Sequence, residues 1–155
     1  MRHLSILTML SLVISSTCFA SIPTSCYKLQ NQLQSILPSK VVMTPSKDKL
    51  CVLTTTSTGV VYEKHQHHYR YWQRRIEKTL QQAGWQTSIE FAADGPFETQ
   101  FAMKQKDLLA KINVAVDGKK IHCSPDHPID LYEDCHLTPK ERSYVIRIDL
   151  LQQHN

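Results

Sequence analysis

Two stretches of this chain concentrate side chains that bind metals or move protons. The first is Glu63-Lys64-His65-Gln66-His67-His68, where neighbouring neutral imidazoles could ligate zinc or copper. A helix through this stretch turns His65 and His68 along one side and sends His67 to the other, beside Glu63. At most two histidines then share a face, whereas structural zinc sites take four protein ligands. We therefore expect His65 to pack in or near the core and His67 and His68 to meet solvent. The second stretch holds Cys123, His127, Cys135 and His136, four zinc-type ligands whose meaning depends on whether the two thiols are oxidised. The same stretch carries Asp126, Asp130, Glu133 and Asp134. Clustered carboxylates can hold calcium or share acid and base roles, but their spacing matches no EF-hand and a solvated acidic loop is expected.

A third group, Tyr69-Arg70-Tyr71-Trp72 with Arg74 and Arg75, interleaves aromatic and basic residues as sugar-binding or anion-binding surfaces do. Tyr69 and Trp72 fall on an apolar helix stripe. That leaves Arg70, Tyr71 and Arg74 as the residues presented, with Glu77 beside the arginines on a charged outer face. Other chemistries leave no trace. The four glycines, at 59, 84, 95 and 118, each suit a turn or a helix end. None remains for a phosphate-cradling loop, a dinucleotide fingerprint or a nucleophile elbow. No cofactor is expected.

The redox question is answered at the N-terminus. Arg2 precedes an apolar run from Ile6 to Val13, and Cys18-Phe19-Ala20 offers small residues at −3 and −1 of a signal-peptidase site. Residues 1–20 read as a cleavable secretory signal and 21–155 as a single domain. The run is too short and too rich in serine and threonine for a stable membrane anchor, which needs about 20 mostly apolar residues. Lipidation of Cys18 is the alternative, but Ser15 and Thr17 stand where a lipobox carries leucine and a small Gly or Ala. Four cysteines remain: Cys26, Cys51, Cys123 and Cys135. In an exported chain an even number implies disulfides. Their spacing suggests Cys26–Cys51 and Cys123–Cys135, so His127 and His136 become bystanders to a bridge. The net charge of +4 falls by one with Arg2, too mild a balance for a nucleic-acid binder.

The elements that must position these residues follow from periodicity. Leu29, Leu33, Ile36 and Leu37 recur at helical spacing, with Thr24 or Ser25 as N-cap and Pro38 as terminator. A polar connector from Ser39 to Lys49 leads to a β-branched strand over 50–56. Trp72, Ile76, Thr79 and Ala83 continue the apolar stripe of a second helix that includes Val61, His65 and Tyr69. Leu80 sits at the stripe's edge and Gly84 ends the helix. The period then becomes two. Trp85, Thr87, Ile89 and Phe91 share a strand face, as do Phe97, Thr99, Phe101 and Met103, and then Ala110, Ile112, Val114 and Val116. Turns at Asp94-Gly95, Lys106-Asp107 and Asp117-Gly118 separate these strands and a short one at Lys120–Cys123. After a loop over 124–142, Tyr144, Ile146, Ile148 and Leu150 face the core from a last strand.

These elements predict a disulfide-stabilised α+β fold, two N-terminal helices packed on one face of a mainly antiparallel sheet in the order α-β-α-β-β-β-β-β. The expected function is that of a small periplasmic or secreted binding domain, inhibitor-like or immunity-like, with another protein or an envelope component as partner and no catalysis evident. Its binding surface is expected on Arg70, Tyr71 and Arg74 or on the loop carrying Asp126, Asp130 and Glu133. A metal-dependent hydrolase is the competing class. It would use His65 or His68 with His122 or His127 and requires at least three histidines or carboxylates to converge in one pocket. A structural subunit of an envelope assembly is a third reading, requiring an exposed sheet edge or apolar patch.

Overall fold

The computed structural model describes residues 21–58, 69–94, 98–117 and 143–153. Helices α1 (Thr24–Gln34) and α2 (Tyr69–Gln82) accompany strands β1 (Val42–Thr44), β2 (Cys51–Thr58), β3 (Gln86–Asp94), β4 (Glu98–Gln105), β5 (Leu108–Asp117) and β6 (Ser143–Gln152). The fold is α+β, with every described strand pair antiparallel. Strands lie in the order β1-β2-β6-β5-β4-β3. The meander expected from sequence holds for β3, β4 and β5. The last strand then inserts between β5 and β2, joining the N-terminal part of the sheet to the rest. The strand expected at Lys120–Cys123 lies outside the described residues.

Alternation decides which sheet face is buried. Cys51, Leu53 and Thr55 of β2 stand opposite Leu150, Ile148 and Ile146 of β6. Those in turn stand opposite Ala110, Ile112 and Val114 of β5, and the row ends on Met103, Phe101 and Thr99 of β4. All of these are buried, and the apolar ones form one cluster with Leu29 and Leu33 of α1 and Trp72, Ile76 and Leu80 of α2. Leu80, expected at the stripe's edge, is fully buried. The opposite face alternates in charge: Asp149 takes Lys49 and, at 2.9 Å, Arg147, while Asn113 donates to Glu98 at 3.1 Å.

The helix ends depart from expectation once and agree once. At α1, Pro23 occupies the N-cap position without a side-chain cap, in place of Thr24 or Ser25. Proline's fixed φ suits a helix entry, and its carbonyl accepts the Cys26 N–H at 3.0 Å. At α2, Gly84 adopts φ +87°. Its N–H bonds the Gln81 carbonyl and the Trp85 N–H bonds the Leu80 carbonyl, both at 3.0 Å, which is the Schellman arrangement.

Cys26 and Cys51 form the disulfide expected from their spacing, tying α1 to β2. Both are fully buried in the core. Next to it, α1 grips the following segment: Gln30 Nε2 donates to the Val41 carbonyl at 2.8 Å, and Val41 N–H donates to Gln34 Oε1 at 2.7 Å. That clamp delivers the chain into β1, a three-residue edge strand inside what reads from sequence as a polar connector. Edge pairing onto β2 orders it; its own pattern is too short to announce a strand.

The second departure is in β3. Gln86, Thr87 and Ser88 pair in step with Lys104, Met103 and Ala102, but the next pairs are Ala93 with Gln100 and Asp94 with Thr99. Residues 89–92 thus form a wide bulge, and the single face expected for Trp85, Thr87, Ile89 and Phe91 does not exist. Trp85 is buried, whereas Ile89 is 88% exposed. The Phe91 ring receives the Lys111 ammonium 3.7 Å from its centroid. Because Lys111 stands opposite Ala102 and Asp149, that cation–π contact draws Phe91 over the charged face. Among the described residues no helix is long and apolar enough to cross a membrane.

Two outcomes test this fold. Gly84→Ala places a side chain at a left-handed φ, with a Cβ 3.2 Å from Gln105 Nε2. It should cost about 1–2 kcal/mol in urea unfolding. Replacing both Cys26 and Cys51 with alanine opens a loop of sequence separation 25 and should cost about 3 kcal/mol by the same measurement.

Candidate functional site

The β3 bulge turns the sheet edge into a cleft. Where the chain leaves the β4 ladder after Ser88 and returns at Ala93, it stands away from α2, and a cavity of about 230 Å³ opens between helix and strand. Gln73 and Glu77, one turn apart on α2, form one wall. Thr87, Ser88 and Asp94 of β3 and Gln100 of β4 add polar groups, and Ile89, Ala92, Ala93 and Phe101 supply the apolar surface. This volume lies below the roughly 300–1,000 Å³ of drug-sized ligand pockets and suits a group the size of a side chain.

A hydrogen-bond chain fixes the cleft's inner end. Thr99, fully buried, donates its hydroxyl proton to Asp94 Oδ1 at 2.7 Å, and Gln73 Oε1 lies 3.1 Å from the Thr99 hydroxyl oxygen. Arg70 pairs with Asp94 at 3.5 Å from the solvent side. Gln73 Nε2 in turn makes a long 3.4 Å hydrogen bond to Glu77 Oε1. The register carries this network: Asp94 stands opposite Thr99 only because the bulge delays re-pairing until Ala93. The Thr99 hydroxyl has one proton, and the shorter, charge-assisted contact to Asp94 is the bond that takes it.

The residues singled out from sequence are placed unequally. Arg70 lies at the cleft's outer side through its pair with Asp94. Tyr71 is half-buried, its ring edge-on to Trp72 at 5.2 Å, and its hydroxyl accepts from Arg75 at 2.9 Å. Arg74 is exposed. Glu77, read as part of the charged outer face, is half-buried and lines the cleft instead. Asp126, Asp130 and Glu133, the cysteines Cys123 and Cys135, and the metal candidates His65, His68, His122 and His127 lie outside the described residues. Among the described residues, no group of three or more His, Cys, Asp or Glu is placed to hold a metal.

The cleft's principal residues, Gln73, Ser88, Asp94, Thr99 and Gln100, have no motif. The one usable signal is the i, i+4 pair Gln73 and Glu77, which must share a side of α2. No family model, curated protein or solved structure matches this chain.

The hydrogen-bond chain predicts an order of stabilities. Thr99→Val deletes the buried hydroxyl that donates to Asp94 and should cost about 1 kcal/mol in urea unfolding. Arg70→Gln removes one partner of an ion pair whose side chains are 51% and 56% exposed. It should cost less than about 0.5 kcal/mol. The reverse order would contradict the network.

Proposed function

We propose that this chain is a small exported binding domain, processed after Ala20, which recognises another protein or an envelope component. In this reading both helices lie against one face of the sheet, and the cleft between α2 and the β3 bulge, with Arg70 at its outer side, is the recognition surface. One observation carries the proposal: a concave site lined by amides, hydroxyls and carboxylates is built on paired strands and a helix. Recognition sites are characteristically held this way on a rigid scaffold. The buried Cys26–Cys51 bridge supports the exported setting, since such bonds persist in oxidising compartments. The loop carrying Asp126, Asp130 and Glu133 is proposed as a second part of the surface, and Cys123–Cys135 as a second bridge.

Export is tested by fusing alkaline phosphatase, which matures only outside the reducing cytosol, to the C-terminus of the full chain. The fusion should be active, and deletion of residues 2–20 should abolish the activity; an inactive full-length fusion contradicts export. Binding is tested by recovering the tagged chain from its native cells. A stoichiometric partner is expected. A solitary protein carrying stoichiometric zinc would contradict the binding reading in favour of a metal-dependent hydrolase.

A further inference from the structure

Building on that reading, we infer that the cleft between α2 and the β3 bulge seats the positively charged side chain, lysine or arginine, of a partner protein. Among the described residues, two carboxylates, Glu77 and Asp94, line the cleft and no cationic residue does. They are not equivalent. Asp94 is held by Thr99 and Arg70. Glu77, half-buried, has no ion pair among the described residues and meets only the neutral Gln73 amide at 3.4 Å. An incoming cation would give Glu77 the counter-charge that Asp94 already has in Arg70.

A second observation concerns the neutral lining. Ser88 lines the same cavity beside Thr87 and Gln100 and offers it a hydroxyl. A donor-rich head group entering the cleft supplies bonds to Glu77 and to the hydroxyl of Ser88. The apolar wall of Ala92, Ala93 and Phe101 suits the methylene stem that lysine and arginine bury behind their charged ends. A bare metal ion fits less well, because among the described residues no group of three or more His, Cys, Asp or Glu is placed to hold one.

Ile89 identifies the carrier. It lines the cleft and is 88% exposed, an apolar side chain that a free amine leaves in water and a polypeptide flanking the inserted side chain covers. Arginine is a recurrent interface anchor, surrounded by contacts that exclude water from it.

The test uses the full oxidised chain and three probes: Nα-acetyl-arginine amide, its neutral counterpart Nα-acetyl-norleucine amide, and the peptide acetyl-Leu-Arg-Leu-amide. Binding is followed by NMR at the Gln73 and Gln100 side-chain amides and the Ile89 methyls. The arginine probe should give saturable shifts confined to these groups and the norleucine probe none. Glu77→Gln should weaken the arginine probe about tenfold, while Lys104→Gln, on the charged face, leaves it unchanged. The peptide should bind about fivefold tighter than the single residue, and Ile89→Ser should remove that gain. Equal binding of the neutral probe, absence of arginine binding, indifference to Glu77→Gln, or a peptide with no advantage overturns the inference. A native partner retained equally by wild type and Glu77→Gln also overturns it while leaving the binding-domain reading intact; failure of that reading shows separately, as an unexported or solitary chain.

Discussion

The bond between Cys26 and Cys51 sits in the middle of the apolar core, and much of the molecule is arranged from it. Cys51 opens β2 and stands opposite Leu150, so the helix fastened to it is also fastened to β6, the strand that joins both parts of the sheet. Once α1 is held there, Gln30 and Gln34 can clamp the backbone of Val41, and β1 can lie along β2. A short helix is marginal without tertiary support. For α1, which has no side-chain cap at its start, the bridge and the burial of Leu29 and Leu33 are that support.

At the far edge of the sheet a different constraint operates. Among the described strands β3 pairs on one side only, with β4, and its bulge is where regular pairing gives way to side-chain preferences. Phe91 crosses to the charged face to meet Lys111, and Asp94 is brought to Thr99. The cleft is what remains between that displaced strand and α2. A bulge also twists an edge away from continuous pairing with another sheet, so the feature that shapes the proposed recognition site also blunts one exposed edge.

Much of the scaffold was legible because it depends on periodicity. Trp72, Ile76 and Leu80 repeat every four residues and end at a glycine; Tyr144, Ile146, Ile148 and Leu150 alternate against Val145, Arg147 and Asp149; and Cys26 and Cys51 flank a connector short enough for a local bridge. What was not legible depends on register or on long-range pairing. Nothing in the order of strands says that β6 inserts beside β2. The alternation of Trp85, Thr87, Ile89 and Phe91 reads as a straight strand because period two carries no information about where a partner strand slips. Glu77 reads as outward-facing for a similar reason: a helical wheel gives an angle, and only the bulge makes that angle the wall of a cleft. The cleft's glutamines, serine and threonine are ordinary surface types in sequence, and their meaning comes from convergence.

The central claim is that the folded chain is an oxidised domain braced by Cys26–Cys51. The direct measurement is to alkylate the protein from its native cells under denaturing, non-reducing conditions and map its proteolytic fragments by mass spectrometry. The account predicts a disulfide-linked pair of fragments carrying Cys26 and Cys51, separated only by reductant. Recovery of both cysteines alkylated, or of either joined to a different partner, would contradict it.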